Sequence, residues 1–135
     1  MILKISNTFL IAKYLTPTHW YQHRAEIQNL IADIRKHNTK ANFILVGDIN
    51  ADTRDRLRTL EKKVGLKTVP MDPDSKGTRY QKSHGWSSLD RVLTNLNARA
   101  TKTSLNVSTS DHVPTVTELQ IPMERIKFKK HLIFL

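Results

Sequence analysis

Asp48 and Asn50 are two short polar side chains in Gly47-Asp48-Ile49-Asn50, which directly follows the apolar run Phe43-Ile44-Leu45-Val46. Asp90 lies inside a second apolar run, Leu89-Asp90-Arg91-Val92-Leu93, while Asp111 and His112 share the polar turn Ser110-Asp111-His112. Tyr14 closes an earlier one. Hydrolysis of a phosphodiester needs these groups: a base or aligner for the attacking water, donors for phosphoryl oxygens, and carboxylates that hold a divalent cation against developing charge. Taken alone, Gly-Asp-x-Asn reads equally as an Asx turn or helix cap, and Ser-Asp-His as a surface turn. Asp90 is harder to explain away, because a carboxylate in an apolar strand needs a partner and a histidine is a natural one.

The elements that must position these groups follow from periodicity. Residues 8 to 15 read as a strand closed by Pro17. From Trp20, Ile27, Leu30, Ile31 and Ile34 recur at helical spacing, with Thr16-Pro17 or Thr18 as the start and Asn38 as a left-handed stop. The run ending in Gly47 reads as a strand buried on both faces, with Gly47 turning the backbone at its end. Residues 8 to 47 therefore form a strand, helix, strand unit with both strands in one sheet, and ligands gather at such carboxyl edges. A second helix is capped by Asp52, carries Leu57, Leu60 and Val64, and ends at Gly65. After a turn-rich surface loop from Val69 to Gly77, Thr78 to Gln81 reads as a short strand and Ser83 to Ser88 as a polar loop. Leu89 to Thr94 is a strand carrying Asp90; residues 99 to 107 and 113 to 119 are the last two strands.

The chain has 135 residues, 22 Lys and Arg against 12 Asp and Glu, and a net charge of +10. One domain with a true core is expected, and the charge points to a polyanionic partner such as nucleic acid. Without cysteine, disulfides, thiolate metal sites and Cys nucleophiles are excluded. No run reaches signal-core or membrane-spanning length, so a soluble intracellular protein without a membrane partner is expected, the nucleus being one location. Residues 1 to 121 read as the domain, and 122 to 135 as a basic then apolar tail or truncated linker.

The ordered set Tyr14-Leu15-x-Pro17, Gly47-Asp48-Ile49-Asn50, Ser88-Leu89-Asp90-Arg91 and Ser110-Asp111-His112-x-Pro114 resembles the later, C-terminal part of the endonuclease/exonuclease/phosphatase superfamily. Basic charge and Ser87-Ser88-Leu89-Asp90 most resemble its non-LTR retrotransposon, reverse-transcriptase-associated endonucleases. The resemblance implies an α+β chain, a partial α/β sandwich of the DNase I-like fold (two sheets flanked by helices), lacking the N-terminal part. It implies a hydrolase using Mg²⁺ or Mn²⁺ to cleave DNA. Asp48 would align and deprotonate water, Asn50 would donate to a phosphate oxygen, Asp90 would orient His112, and Tyr14 would contact phosphate or leaving group. Asp111 would stand at the metal. Thr78, Arg79, Trp86 and Ser88 would contact substrate, with Lys82 adding charge.

The same resemblance implies a shortfall. The family's first strands and helix carry an Asn and a metal-binding Glu ahead of the matched segment, where this sequence has only Met1 to Thr8, and its Tyr-Leu-Thr-Pro-Thr-His has an extra residue and no Asn. Impaired metal binding and hydrolysis are expected of these residues alone. An open half-sandwich is also expected to self-associate or to pair with a missing amino-terminal segment. The alternatives are a non-catalytic nucleic-acid-binding module and a phosphatase of small phosphoesters.

Overall fold

The computed structural model describes residues 1–104 and 111–123. The elements are β1 (Ile2–Ile5), β2 (Thr8–Ala12), a 3₁₀ turn (Pro17–His19), α1 (Trp20–His37), β3 (Asn42–Asp48), α2 (Arg54–Val64), β4 (Lys67–Thr68), β5 (Arg79–Gln81), β6 (Gly85–Ser87), β7 (Asp90–Thr94), β8 (Lys102–Thr103) and β9 (Thr115–Val116). Five strands make one mixed sheet in the order β1-β2-β3-β7-β4, and β5–β6 and β8–β9 are separate two-stranded pairs. The class is α+β. As the sequence implies, β2 and β3 lie side by side and parallel, joined by α1.

β3 is the central strand because its side chains can be buried on either face. Phe43 and Leu45 join Ile11, Ile27, Ile31, Leu60, Val64 and Leu93 under the two helices, while Ile44 joins Val69 and Val92 on the opposite face, where Leu10, Val46, Leu96, Ala98 and Leu119 close over it. Each fully buried large side chain contributes roughly 1.5–3 kcal/mol, so this strand anchors both layers. α1 turns Ile27 and Ile31 inward, and α2 turns Leu60 and Val64 inward.

Several local readings change. The first residues form β1, antiparallel to β2 with Ile2 opposite Ile11. Asn38 is extended at φ −142°, not left-handed, because its side chain donates to Asn7 Oδ1 (3.2 Å) and accepts from Lys40 N (3.2 Å). At the start of α1 neither Thr16 nor Thr18 caps through its side chain; Thr16 precedes the 3₁₀ turn and His19 precedes the helix. Thr53 rather than Asp52 caps α2, accepting from Arg56 N at 3.2 Å. Gly65 does end α2 in the left-handed region at φ 67°, where Arg35 donates to the last carbonyls, Val64 O (2.9 Å) and Gly65 O (3.2 Å). The expected loop from Ser83 to Ser88 contains β6. Among the described residues the two expected late strands are represented by the two-residue β8 and β9, with bridges between Ala98 and Leu119 and between Met71 and Thr101. Residues 105–110, including Ser110, and the tail from residue 124 lie outside the described residues.

Candidate active site

Strand pairing brings the first two carboxylates together. β3 and β7 run antiparallel with Val46 opposite Val92, Gly47 opposite Arg91 and Asp48 opposite Asp90. Side chains alternate across a strand, so Asp48 and Asp90 share the face of Ile44, Val46 and Val92, away from the helices. β3 does not turn at Gly47; it continues to Asp48. Glycine is needed there for another reason: φ is 142°, and a Cβ would stand 2.1 Å from the carbonyl oxygen of Lys13. That close approach carries the β2 exit along β3, with Lys13 N donating to Val46 O (3.0 Å) and Leu15 N to Asp48 O (2.9 Å). The parallel register therefore extends to put Tyr14 beside Asp48, on the same face. Tyr14 is 55% exposed.

The residues from 111 to 113 are laid against the β5–β6 hairpin. Tyr80 N donates to Asp111 O (3.1 Å) and Val113 N to Thr78 O (2.7 Å), and Arg79 and His112 form an antiparallel bridge. His112 thereby reaches Asp90: its Nδ1–H donates to Asp90 Oδ2 at 2.6 Å. This fixes the ring so that Nε2 faces Asp48 Oδ2 at 3.8 Å, attraction without a direct hydrogen bond. Thr78, expected at the substrate, is wholly buried. Its Oγ1 accepts from both Leu89 N and Asp90 N, each at 3.0 Å, and so locks the hairpin to the start of β7. Ser88 serves the same junction, its carbonyl accepting from Arg91 Nε at 3.1 Å.

The Asp48–Ile49–Asn50 turn is held from three sides. Ile49 is fully buried, its N–H donating to Leu89 O (2.8 Å) and its carbonyl accepting from Trp20 Nε1 (2.7 Å). Asn50 takes φ 48°, which its short polar side chain tolerates, and its Nδ2 donates to Leu15 O at 2.8 Å while its N–H bonds Asp48 Oδ1 at 3.2 Å. Trp20 was not foreseen as a positioning residue. Its signal is that a buried indole needs an acceptor for its N–H.

Asp48 and Asp90 are like charges placed directly opposite, an arrangement that costs energy unless a positive group intervenes. Burial first, then the Asp90 charge, raises the Asp48 carboxyl above its usual value; His112 counters them only in part. Asp48, Asp90 and His112 each offer a ligand atom within 4.8 Å of the others, the one such group among the described residues. Two carboxylates whose repulsion is only partly relieved, together with one imidazole, fit a divalent cation. Asp111 stands outside this group: Arg79 Nε donates to its Oδ2 at 2.9 Å, and that bond is the main reason its carboxyl lies below the usual range. Trp86 is 36% exposed and pairs with Tyr80 across the hairpin, ring centroids 5.4 Å apart. No described helix is long and apolar enough to cross a membrane.

No protein-family model matches the chain, and no curated protein does. Solved structures do. An endonuclease/exonuclease/phosphatase family protein of Bacteroides thetaiotaomicron aligns at TM-score 0.57 and 17% identity, over 83% of this chain and 49% of its own. The same organism's mannosyl-6-phosphatase aligns at 0.57 and 16%, over 84% and 51%. Truncated TDP2 of Caenorhabditis elegans aligns at 0.51 and 20%, over 82% and 53%. At these identities the likeness is one of fold, a partial DNase I-like fold, and the chain spans about half the length of each neighbour.

Proposed function

We propose that this chain, built on a fold shared with endonuclease/exonuclease/phosphatase family proteins, carries the water-activating half of a divalent-metal-dependent phosphodiesterase acting on DNA, of the retrotransposon endonuclease type. The observation that carries this reading is the convergence of Asp48, Asp90 and His112 from three separate segments onto one sheet edge. Asp48 takes the proton of the attacking water. Asp90 holds the His112 imidazole through Nδ1, so that Nε2 faces the reacting phosphorus and stabilises the negative charge that develops there. A divalent cation, Mg²⁺ or Mn²⁺, held against Asp48 and Asp90 would neutralise phosphoryl charge. Asn50 and Tyr14 border the same edge for contact with phosphate oxygens. DNA is favoured over a small phosphoester by the exposed Tyr80–Trp86 pair and by Arg79 and Lys82 on the adjoining hairpin, together with the net charge of +10.

Nicking of supercoiled plasmid with Mg²⁺ or Mn²⁺, by this chain extended at its amino end with the family's first strands and helix, tests the proposal. His112→Ala and Asp48→Ala are expected to lower it at least ~100-fold. Nicking retained in both, or persisting in chelator, refutes the assignments. Salt-sensitive DNA binding by this chain, with no metal-dependent nicking even in the extended form, assigns it instead as a non-catalytic binding module.

A further inference from the structure

On the helix side of the sheet, away from Asp48, two guanidinium groups from different helices converge on one pair of rings. Trp20 is 1% exposed, whereas its neighbour Tyr21 is 60% exposed, the two rings meeting edge to face at 5.2 Å. Arg24 of α1 lies 5.3 Å from the Tyr21 centroid and 6.0 Å from that of Trp20. Arg56 of α2 lies 5.8 Å and 5.4 Å from the same two rings. Stacking of this kind can simply join helices, at about 0.5–1 kcal/mol per exposed contact. Three features exceed that role. Among the described residues the ion pair that opposes the like charges is with exposed Asp52, 3.5 Å from Arg56; Arg24 Nε is buried and has no hydrogen-bond partner among them; and Tyr21 leaves much of its surface uncovered.

We propose that Tyr21, Arg24 and Arg56 form a binding site for single-stranded nucleic acid, with a base stacked on Tyr21 and backbone phosphate held by the guanidiniums. A phosphate alone would answer the two charges, but only a nucleic acid also answers the open ring. Trp20 ties the site to the turn of Asp48 and Asn50 through Ile49 O. This inference shares with the proposed function only the class of partner, and its test reads no cleavage.

Anisotropy of a labelled oligothymidylate of roughly twelve nucleotides, titrated in chelator across a range of salt, supplies that test. Tyr21→Ala should weaken binding at least ~5-fold, to the level of an abasic strand of equal length, while Tyr21→Phe binds as the unmodified protein. Arg24→Gln with Arg56→Gln should reduce the slope of log affinity against log salt by ~1.4, at ~0.7 per phosphate contact. The exposed pair Lys62→Gln and Lys63→Gln removes the same charge from α2 and should leave affinity within about twofold. An equal loss in that lysine control, or a Tyr21→Ala protein that binds normally, overturns the proposal. Melting curves confirm that each variant is folded. Failure here leaves the plasmid-nicking reading standing, and absence of nicking leaves this one standing.

Discussion

Replacing Thr78 by Val keeps the shape of a fully buried side chain and removes one oxygen. That oxygen accepts two backbone N–H groups, from Leu89 and Asp90, both at 3.0 Å. A buried donor left without an acceptor costs about 1–3 kcal/mol, so losing both should destabilise by roughly 2–6 kcal/mol. Against a total stability of about 5–15 kcal/mol for a domain, this is a large share. Urea unfolding is the assay: with a slope of about 2 kcal/mol per molar, the midpoint should fall by roughly 1–3 M at unchanged slope. Thr78→Ser is the essential comparison, since it keeps the oxygen and loses a methyl worth about 1 kcal/mol. Stability should therefore fall in the order Thr, Ser, Val. A Val protein as stable as the Ser protein would show that Thr78 acts through packing and would refute its role as the lock on β7.

Three further outcomes follow from the geometry. Because the Asp48 carboxyl is held above its ordinary 3.8, the folded state retains that proton longer than the unfolded chain; stability is full below 3.8 and declines as pH rises through the folded value. Asp48→Asn should accordingly raise the melting temperature at neutral pH, with the gain vanishing below 3.8, and no gain at neutral pH would show that burial and the Asp90 charge do not penalise the Asp48 carboxylate. Asp111 should titrate below 3.8 in a carbon-detected NMR titration and return towards it in Arg79→Gln; an unmoved value would show that the ion pair is absent in solution. Gly47→Ala, forcing a Cβ to 2.1 Å from the Lys13 carbonyl, should destabilise by at least ~2 kcal/mol, whereas Gly85→Ala, at φ 74° with nothing within 4 Å, should cost only ~1 kcal/mol in the same urea series.

Pattern made the central elements legible. The apolar run of β3, the helical spacing of Ile27 and Ile31, and the Leu57, Leu60, Val64 stripe each declare their own period, and the order of the polar clusters brought Asp48, Asp90 and His112 into one group before any coordinates. What stayed illegible depends on partners distant in sequence. β1 is exposed along most of its length, so it shows no alternation and is a strand only because β2 pairs with it. β6 is built of Gly85, Trp86 and Ser87, residues that read as loop until Arg79, Tyr80 and Gln81 come to lie opposite. Thr78 could not announce itself as an anchor, since nothing in its neighbours signals two N–H groups arriving from residues 89 and 90. Asp52 and Thr53 are both good caps, and one residue of helix phase decides between them.

The opposition of Asp48 and Asp90 is a matter of counting residues, and it sets which length changes the gene can accept. One residue inserted or deleted within β3 turns every following side chain to the other face, moving the Asp48 carboxylate into the apolar layer beneath the helices. The exposed hairpin tip at Lys82, Ser83 and His84 carries no such parity, because Arg79 and Ser87 close the strands behind it. Relatives of this chain should therefore differ freely in length at the hairpin tip and hardly at all between Asn42 and Asp48.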